Sequence, residues 1–327
     1  MRVGRTAWRL ALLGGLIWVS AGVLASEEEG EADSFDCAQV AEWDAPDSPM
    51  EWFERSLWAN HCYVFQARAV RISVDGVRTV ALSHDVQDGV EREVARFLDG
   101  PPMIFERRGR IGRLTWTEDG SEAPASPTGI ARHLERFYRL SLGEEERIAS
   151  RRVVRLDVEP LDDHRYGHRF WLDRDTALPL KQQLLNEEGR VVETFQFTEL
   201  QRPQLHEGDV IMDRRRSPPS LAWRPGWLPK GFIAQPVVTR SQRHGERVGH
   251  RIYSDGLSTL SLFVEPLDEA GKRLMPGLHR LGISMAVVRH IERAGQPHQV
   301  VVMGELPVRV LVRVSEGLIW EESERTE

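Results

Sequence analysis

The sequence predicts an α+β protein of two domains, a large antiparallel sheet carrying helices followed by a small sheet with one helix. Three observations predict it. Residues 63–200 are dominated by short segments that alternate apolar and polar side chains, interrupted once by helical spacing. Residues 201–220 lose that periodicity and are rich in Pro, Arg and Asp, as an interdomain linker is. A second, shorter series of strand-like segments then ends in a helical pattern. With 327 residues, 41% of them apolar and 28% charged, the chain is long enough for two cores and too apolar for disorder.

At the N-terminus, Arg2, Arg5 and Arg9 precede an uncharged apolar run from Leu10 to Leu24, and "VLA" supplies small residues before Ser26. This predicts a secretory signal peptide over residues 1–25, cleaved to leave an exported, soluble product. The alternative is an uncleaved anchor, but 15 apolar residues are short of the about 20 that a spanning helix needs. Losing three arginines takes the formal charge from −7 to −10, which gives no overall attraction to nucleic acid. Residues 26–47 read as a flexible acidic leader. Cys37 and Cys62 are the only cysteines. In an oxidising compartment they are disulfide candidates; the alternative makes Cys62 a small buried strand residue and leaves Cys37 in the leader.

Ser48, Pro49 and Glu51 stand in capping-box positions ahead of Met50, Phe53 and Leu57, which predicts a short amphipathic helix with Trp52, Phe53 and Trp58 as core. "YVFQARAVRISV", "VRTVALSHDV", "EREVARFL", "MIFERRG" and "RIGRLTWTE" then read as a meander punctuated by turn signals. In "SPTGIARHLERFYRL", Ile130, Leu134, Phe137 and Tyr138 fall on one helical face. "RRVVRLDVEP", "RYGHRFWLD", "LPLKQQLLN" and "RVVETFQFTEL" resume the strands, the last two joined at "NEEG"; Phe195 and Phe197 share a face with Val191. The domain so defined spans 48–203, the linker 204–220 and the second domain 221–318, closing with a helix after Pro307 that presents Val308, Leu311, Val312 and Ser315 on one side.

Catalytic signatures are missing: no G-x-S-x-G, H-E-x-x-H, Walker loop or helix-opening G-x-G-x-x-G occurs. Asp157, Glu159, Asp162, Asp163, His164 and His168 could gather round a divalent metal, but on a turn between strands such residues usually set turn geometry in solvent. No cofactor, metal or enzymatic activity is expected.

Several separated segments resemble the RseB/MucB family in order: "RYGHRFWLDRDTALPLKQQLLNEEGRVVETFQFTEL", "EREVARFLDGPPMIFERRG", "WLPKGFIAQ", "HRIYSDGLSTLSLFVEPL" and "QVVVMGELPVRVLVRVSEGL". The resemblance covers about residues 48–318. It implies a large N-terminal domain like LolA and LolB, an unclosed antiparallel β-barrel wrapped over helices, with a small C-terminal α+β domain. It also implies a periplasmic regulator that binds the periplasmic segment of a membrane anti-sigma factor of the RseA/MucA type and shields it from proteolysis. Lipopolysaccharide or lipoprotein acyl chains would relieve that shielding, and homo-oligomers are expected. A lipid or lipoprotein carrier is the alternative function, and a metal-dependent hydrolase a third.

In a half-barrel, alternate strand positions line a concave apolar face. Phe65, Phe105, Trp116, Trp171, Phe195 and Phe197 are the candidates for that cavity, with ordinary core packing as the competing reading. Arg169, Arg214, Arg215 and Tyr253 are candidates for the partner surface beside the interdomain cleft. The sequence departs from the family pattern at His168, where an aromatic commonly follows the "RYG" group.

Overall fold

The computed structural model describes residues 34–109, 126–212, 221–235, 249–267 and 273–320. The N-terminal run read as a signal peptide, Trp116, Arg214 and Arg215 lie outside the described residues. From Ala32 onward the chain forms one compact unit.

Strand β1 (Ser34–Asp36), the short helix α1 (Gln39–Glu42) and helix α2 (Pro49–Cys62) come first. The capping box sets where α2 begins: Ser48 Oγ accepts from the Glu51 N–H, and the Glu51 carboxylate accepts from the Ser48 N–H. Strands β2 (Tyr63–Ser73), β3 (Gly76–Gln87), β4 (Val90–Phe97) and β5 (Ile104–Gly109) follow as a meander. After helix α3 (Pro127–Leu134) come β6 (Tyr138–Ile148), β7 (Arg151–Pro160), β8 (Gly167–Asp173), β9 (Pro179–Leu185) and β10 (Val191–Leu205).

These strands make one antiparallel sheet of nine in the order β5-β4-β3-β2-β10-β9-β8-β7-β6. Among the described residues its two outer strands stay unpaired, so the sheet is open, yet it curls until β6 approaches β10, four places away in the order. The period of two is visible in β2, where Ala67 and Ala69 are buried and Gln66 and Arg68 exposed. The inner face packs on α2 and α3 around Phe53, Leu134, Leu156, Trp171, Leu180 and Phe197.

Beyond β11 (Asp209–Ile211) lie β12 (Trp223–Pro225), β13 (Ile233–Gln235), β14 (Gly249–Ser254), β15 (Thr259–Pro266), β16 (Gly277–Leu281), β17 (Ser284–Arg293), β18 (Gln296–Gly304), helix α4 (Val308–Glu316) and β19 (Leu318–Trp320). Six of them form a second antiparallel sheet, β13-β14-β15-β18-β17-β16, with α4 packed on β17 and β18 and a separate core around Leu260, Leu262, Val302 and Leu311.

Four local expectations need correction. Helix α3 stops at Leu134, and Tyr138 instead opens β6; Phe137 and Tyr138 are drawn into a junction with the second domain, described below. The buried stripe of α4 is Val310, Leu311, Val314 and Ser315. So broad a run of valines offers two overlapping faces, and packing against the sheet selects one. Val191 leaves the face of Phe195 and Phe197 because β10 bulges between Val191 and Glu193, which resets the alternation.

The fourth correction concerns the leader and the linker. Residues 34–47 and 205–212 are not loose: β1 pairs with β11 in antiparallel register, Ser34 opposite Ile211. Cys37 and Cys62 are joined by a disulfide that ties this clasp to the end of α2. Beneath it Phe35 stacks on Trp58 with ring centroids 3.7 Å apart, and Val40 and Val210 are buried with them. An apolar cluster of this kind needs a strand from each end of the first domain, so neither segment could reveal it alone.

Candidate functional site

Two hollows and one solvent-free junction carry the features that the folded chain brings together. The first hollow, about 380 Å³, lies between α2 and the inner face of the large sheet. Phe65 from β2 and Phe195 and Phe197 from β10 line it with Leu57 and Leu82. The Phe65 and Phe197 rings are 5.9 Å apart and those of Phe195 and Phe197 6.0 Å, the second pair edge to face. Its polar rim holds His61, His84, and Glu93 paired with Arg107 at 2.7 Å. His84 places Nδ1 2.7 Å from the Tyr63 carbonyl, which makes Nδ1 the donor and leaves the shielded Nε2 without a partner among the described residues. An open hollow of about 960 Å³ adjoins it, sharing Phe65, Ser83 and His84.

The second hollow, about 490 Å³, is a cleft between the two domains. Ile72 and Val74 at the end of β2, Val191 and Val192 from β10, and Tyr166 form one wall; Arg280, Ile283 and Met285 form the other. Ile72, Val74 and Val191 are exposed apolar residues grouped on one face, the kind of surface that marks a docking site. Arg309 spans the domains nearby, 3.2 Å from Asp163 and 3.4 Å from Glu187.

The junction sits where the β7–β8 loop meets the β14–β15 turn. Arg165 and Asp255 both have fully buried side chains, and Arg165 Nη1 donates to Asp255 Oδ2 at 2.9 Å. Arg165 also donates to Asp162 and to the Lys230 carbonyl. Tyr138 Oη donates to the same Asp255 oxygen at 2.9 Å, while Asp255 Oδ1 accepts from the Leu257 and Ser258 N–H groups. Every acceptor site of that carboxylate facing the protein is therefore used, as burial of a charge demands. Phe137, Tyr138 and Phe232 surround the guanidinium at 4.9, 5.5 and 5.4 Å. Burial, then the Asp255 charge, pushes the Tyr138 hydroxyl well above the ordinary tyrosine range, keeping it a donor. Gly231 is held at φ +86°, and a Cβ there would meet the Phe137 ring at 2.4 Å. Three segments that carried the family resemblance, "RYG", "WLPKGF" and "YSDGLS", thus converge on one buried contact.

The candidates named from sequence separate accordingly. Phe65, Phe195 and Phe197 meet at the concave hollow. Trp171 lies in the core with the Lys181 ammonium 4.0 Å from its ring. Phe105 stands on outer strand β5, 56% exposed, with its ring edge to face on Phe97; it does not line the cavity. Tyr253 is buried in the second core rather than on a surface, because its register opposite Leu260 turns it inward. Arg169 pairs with Asp157 on the large sheet and lines a neighbouring hollow with Asp162, Asp163 and Glu187 rather than the cleft itself. The acidic residues of β7 and of the turn after it form ion pairs: Asp157, Asp162 and Asp163 each pair with an arginine. Arg165 and Asp255 were missed, since nothing in "HRYG" or "YSDG" distinguishes a buried pair from two turn charges.

His168, stacked parallel to Phe170 at 6.0 Å, has an Nε2 shielded from solvent and no hydrogen-bond partner for it among the described residues. Desolvation lowers its pKa from 6.5 to about 4. A depressed pKa keeps the ring neutral in the fold, so its contribution is complete above pH 6.5 and is lost as pH falls from 6.5 toward 4. Substitution His168→Phe is expected to leave stability at pH 7.5 nearly unchanged and to raise it by about 1–3 kcal/mol at pH 4.5. Urea unfolding at the two pH values checks this; an equal change at both would show that the imidazole does not titrate across this range.

Comparison with known proteins bears on the whole chain. Family models for the MucB/RseB N-terminal and C-terminal domains match residues 48–221 and 217–319. The sigma factor AlgU regulatory protein MucB of Pseudomonas aeruginosa is 33% identical over 282 residues, covering 81% of this chain and 89% of that protein. The sigma-E factor regulatory protein RseB of Escherichia coli is 25% identical over 284 residues, 78% and 85% of the two chains. A structure of the Pseudomonas aeruginosa MucA/MucB complex matches with a TM-score of 0.66 at 31% identity, over 84% of this chain and 99% of that one. With both domain models matched in sequence order and an open sheet that carries the same motifs, the chain belongs to the MucB/RseB family.

Proposed function

We propose that this protein is an exported regulator whose interdomain cleft binds the periplasmic segment of a membrane anti-sigma factor and slows its proteolysis. The observation that carries this reading is the cleft itself, with exposed Ile72, Val74 and Val191 facing Ile283 and Met285 across the two domains. Apolar anchors of this kind suit an extended or helical peptide, and the role is recognition rather than turnover. A MucB similar to this chain was crystallised in complex with MucA(peri), which supports the same class of partner.

The test is direct. The full mature chain is expected to bind the exported segment of the anti-sigma factor from the same genome and to slow its cleavage by the cognate protease. Met285→Asp, which puts a charge into the apolar wall, is expected to weaken binding at least about tenfold. Absence of binding at micromolar concentration, measured calorimetrically, would remove the proposal.

A second reading rests on the concave hollow. Phe65, Phe195 and Phe197 suit an acyl chain, so a lipid or lipoprotein would occupy that site, either as the signal that releases the partner or as cargo. Native mass spectrometry separates these: a co-purifying lipid that lowers partner affinity supports the signal, and a lipid with no such effect supports a carrier.

A further inference from the structure

We infer that Arg165, Asp255 and Tyr138 form a lock that holds the two domains as one body and so keeps the interdomain cleft preformed, making Arg165 a positioning residue for whatever the cleft binds. The cleft arm of this inference rests on the function proposed above; the lock does not.

Interdomain contacts inside one chain are usually modest and polar, and relative motion is the default. This junction differs in three ways. Its central ion pair has no exposed side-chain area on either partner, so water cannot replace either group without opening the joint. The turn that carries Asp255 also carries Leu257, which packs into the core of the first domain. Its backbone is fixed as well, since Asp255 holds the turn through the Leu257 and Ser258 N–H groups and His133 Nε2 lies 2.9 Å from the Gly231 carbonyl.

The lock reaches the cleft through adjacent residues. Tyr166, which follows Arg165, is a wall of the cleft, and Arg309 with Asp163 and Glu187 ties α4 to the flanks of the loop and of the β9–β10 turn. A guanidinium that donates to Asp162, Asp255 and the Lys230 carbonyl at once sets the angle between the domains as well as their contact. In some proteins buried charge pairs fix a single geometry while adding little net stability over an apolar replacement. If opening the joint left about one molecule in ten with a formed cleft, apparent affinity would fall about tenfold.

The experiment places spin labels at Val77→Cys and Leu278→Cys, exposed positions on the two domains, in the full mature chain. Interdomain distances are then compared among the otherwise unchanged protein, Asp255→Asn and Tyr138→Phe. Asp255→Asn keeps an oxygen for the turn but removes the charge; Tyr138→Phe removes the hydroxyl that donates to Asp255 and keeps the ring. The expected result is a narrow distance distribution that broadens in both variants, most in Asp255→Asn. Slowly exchanging amides in β8 and β15 persist, and affinity for the anti-sigma segment falls about tenfold in Asp255→Asn. Narrow distributions in both variants would overturn the lock. Broadening with unchanged affinity would overturn its role in positioning the cleft. Should the unchanged protein fail to bind the segment, the proposed function falls while the distances still decide the lock; should Asp255→Asn not fold, Tyr138→Phe decides it.

Discussion

Replacing Arg165 by alanine is expected to lower the unfolding free energy by about 3–5 kcal/mol. The substitution strands the Asp255 carboxylate in a site with no solvent access, and it empties a slot bounded by Phe137, Tyr138 and Phe232. Both effects act in the same direction, one through an uncompensated charge and one through lost packing of the guanidinium stem. Replacing the two charged residues together by apolar ones, which often restores stability elsewhere, is expected to fail here. Asp255 also satisfies the N–H groups of Leu257 and Ser258, and an apolar side chain would orphan both. Urea unfolding at pH 7.5 checks the ranking. A loss under about 1 kcal/mol for Arg165→Ala would mean that the pair is solvated and that the joint is held by something else.

Removal of the disulfide by Cys37→Ala/Cys62→Ala is expected to cost about 3 kcal/mol, from closing a loop of 25 residues in the unfolded chain. The site of damage is as informative as its size. Strand β11 pairs with β1, its Ile211 N–H donates to the Gly89 carbonyl at 2.9 Å, and Val210 is buried in the cluster with Trp58. Without the tether, β1 should fray and the amides of Asp209, Val210 and Ile211 should exchange freely, while β7 and β8 keep their protection. Mild reductant should leave the native protein unaffected, because both cysteines are fully buried. An unchanged unfolding midpoint in the double variant, with protected amides at 209–211, would show that the apolar cluster of Phe35, Trp58 and Val210 alone secures the clasp.

Much of this protein is legible locally. The capping box at Ser48 and Glu51 starts α2 where the spacing places it, because both hydrogen bonds lie within one turn. The hairpin at "NEEG" turns where Gly189 supplies φ +73°. The alternation through β10 likewise puts Phe195 and Phe197 on one face, and only the folded sheet brings Phe65 beside them. What escaped lies where a long-range contact overrides a local pattern. Helical spacing runs through Phe137 and Tyr138, but the joint with Asp255, 117 residues away from Tyr138, ends the helix first. A polar linker and an acidic leader look alike as loose chain until a disulfide brings them to one edge of the sheet.

Sequence alone indicated most of the strands, the start of α2 and the motifs of a family, because each of these follows from periods of two or 3.6 residues, from capping and from turn chemistry. Tertiary structure alone decided which charges are buried, that Arg165 meets Asp255 across 90 residues, and that a cleft lies beside them. Burial is a property of what packs against a residue from elsewhere in the chain, and no local period carries that information.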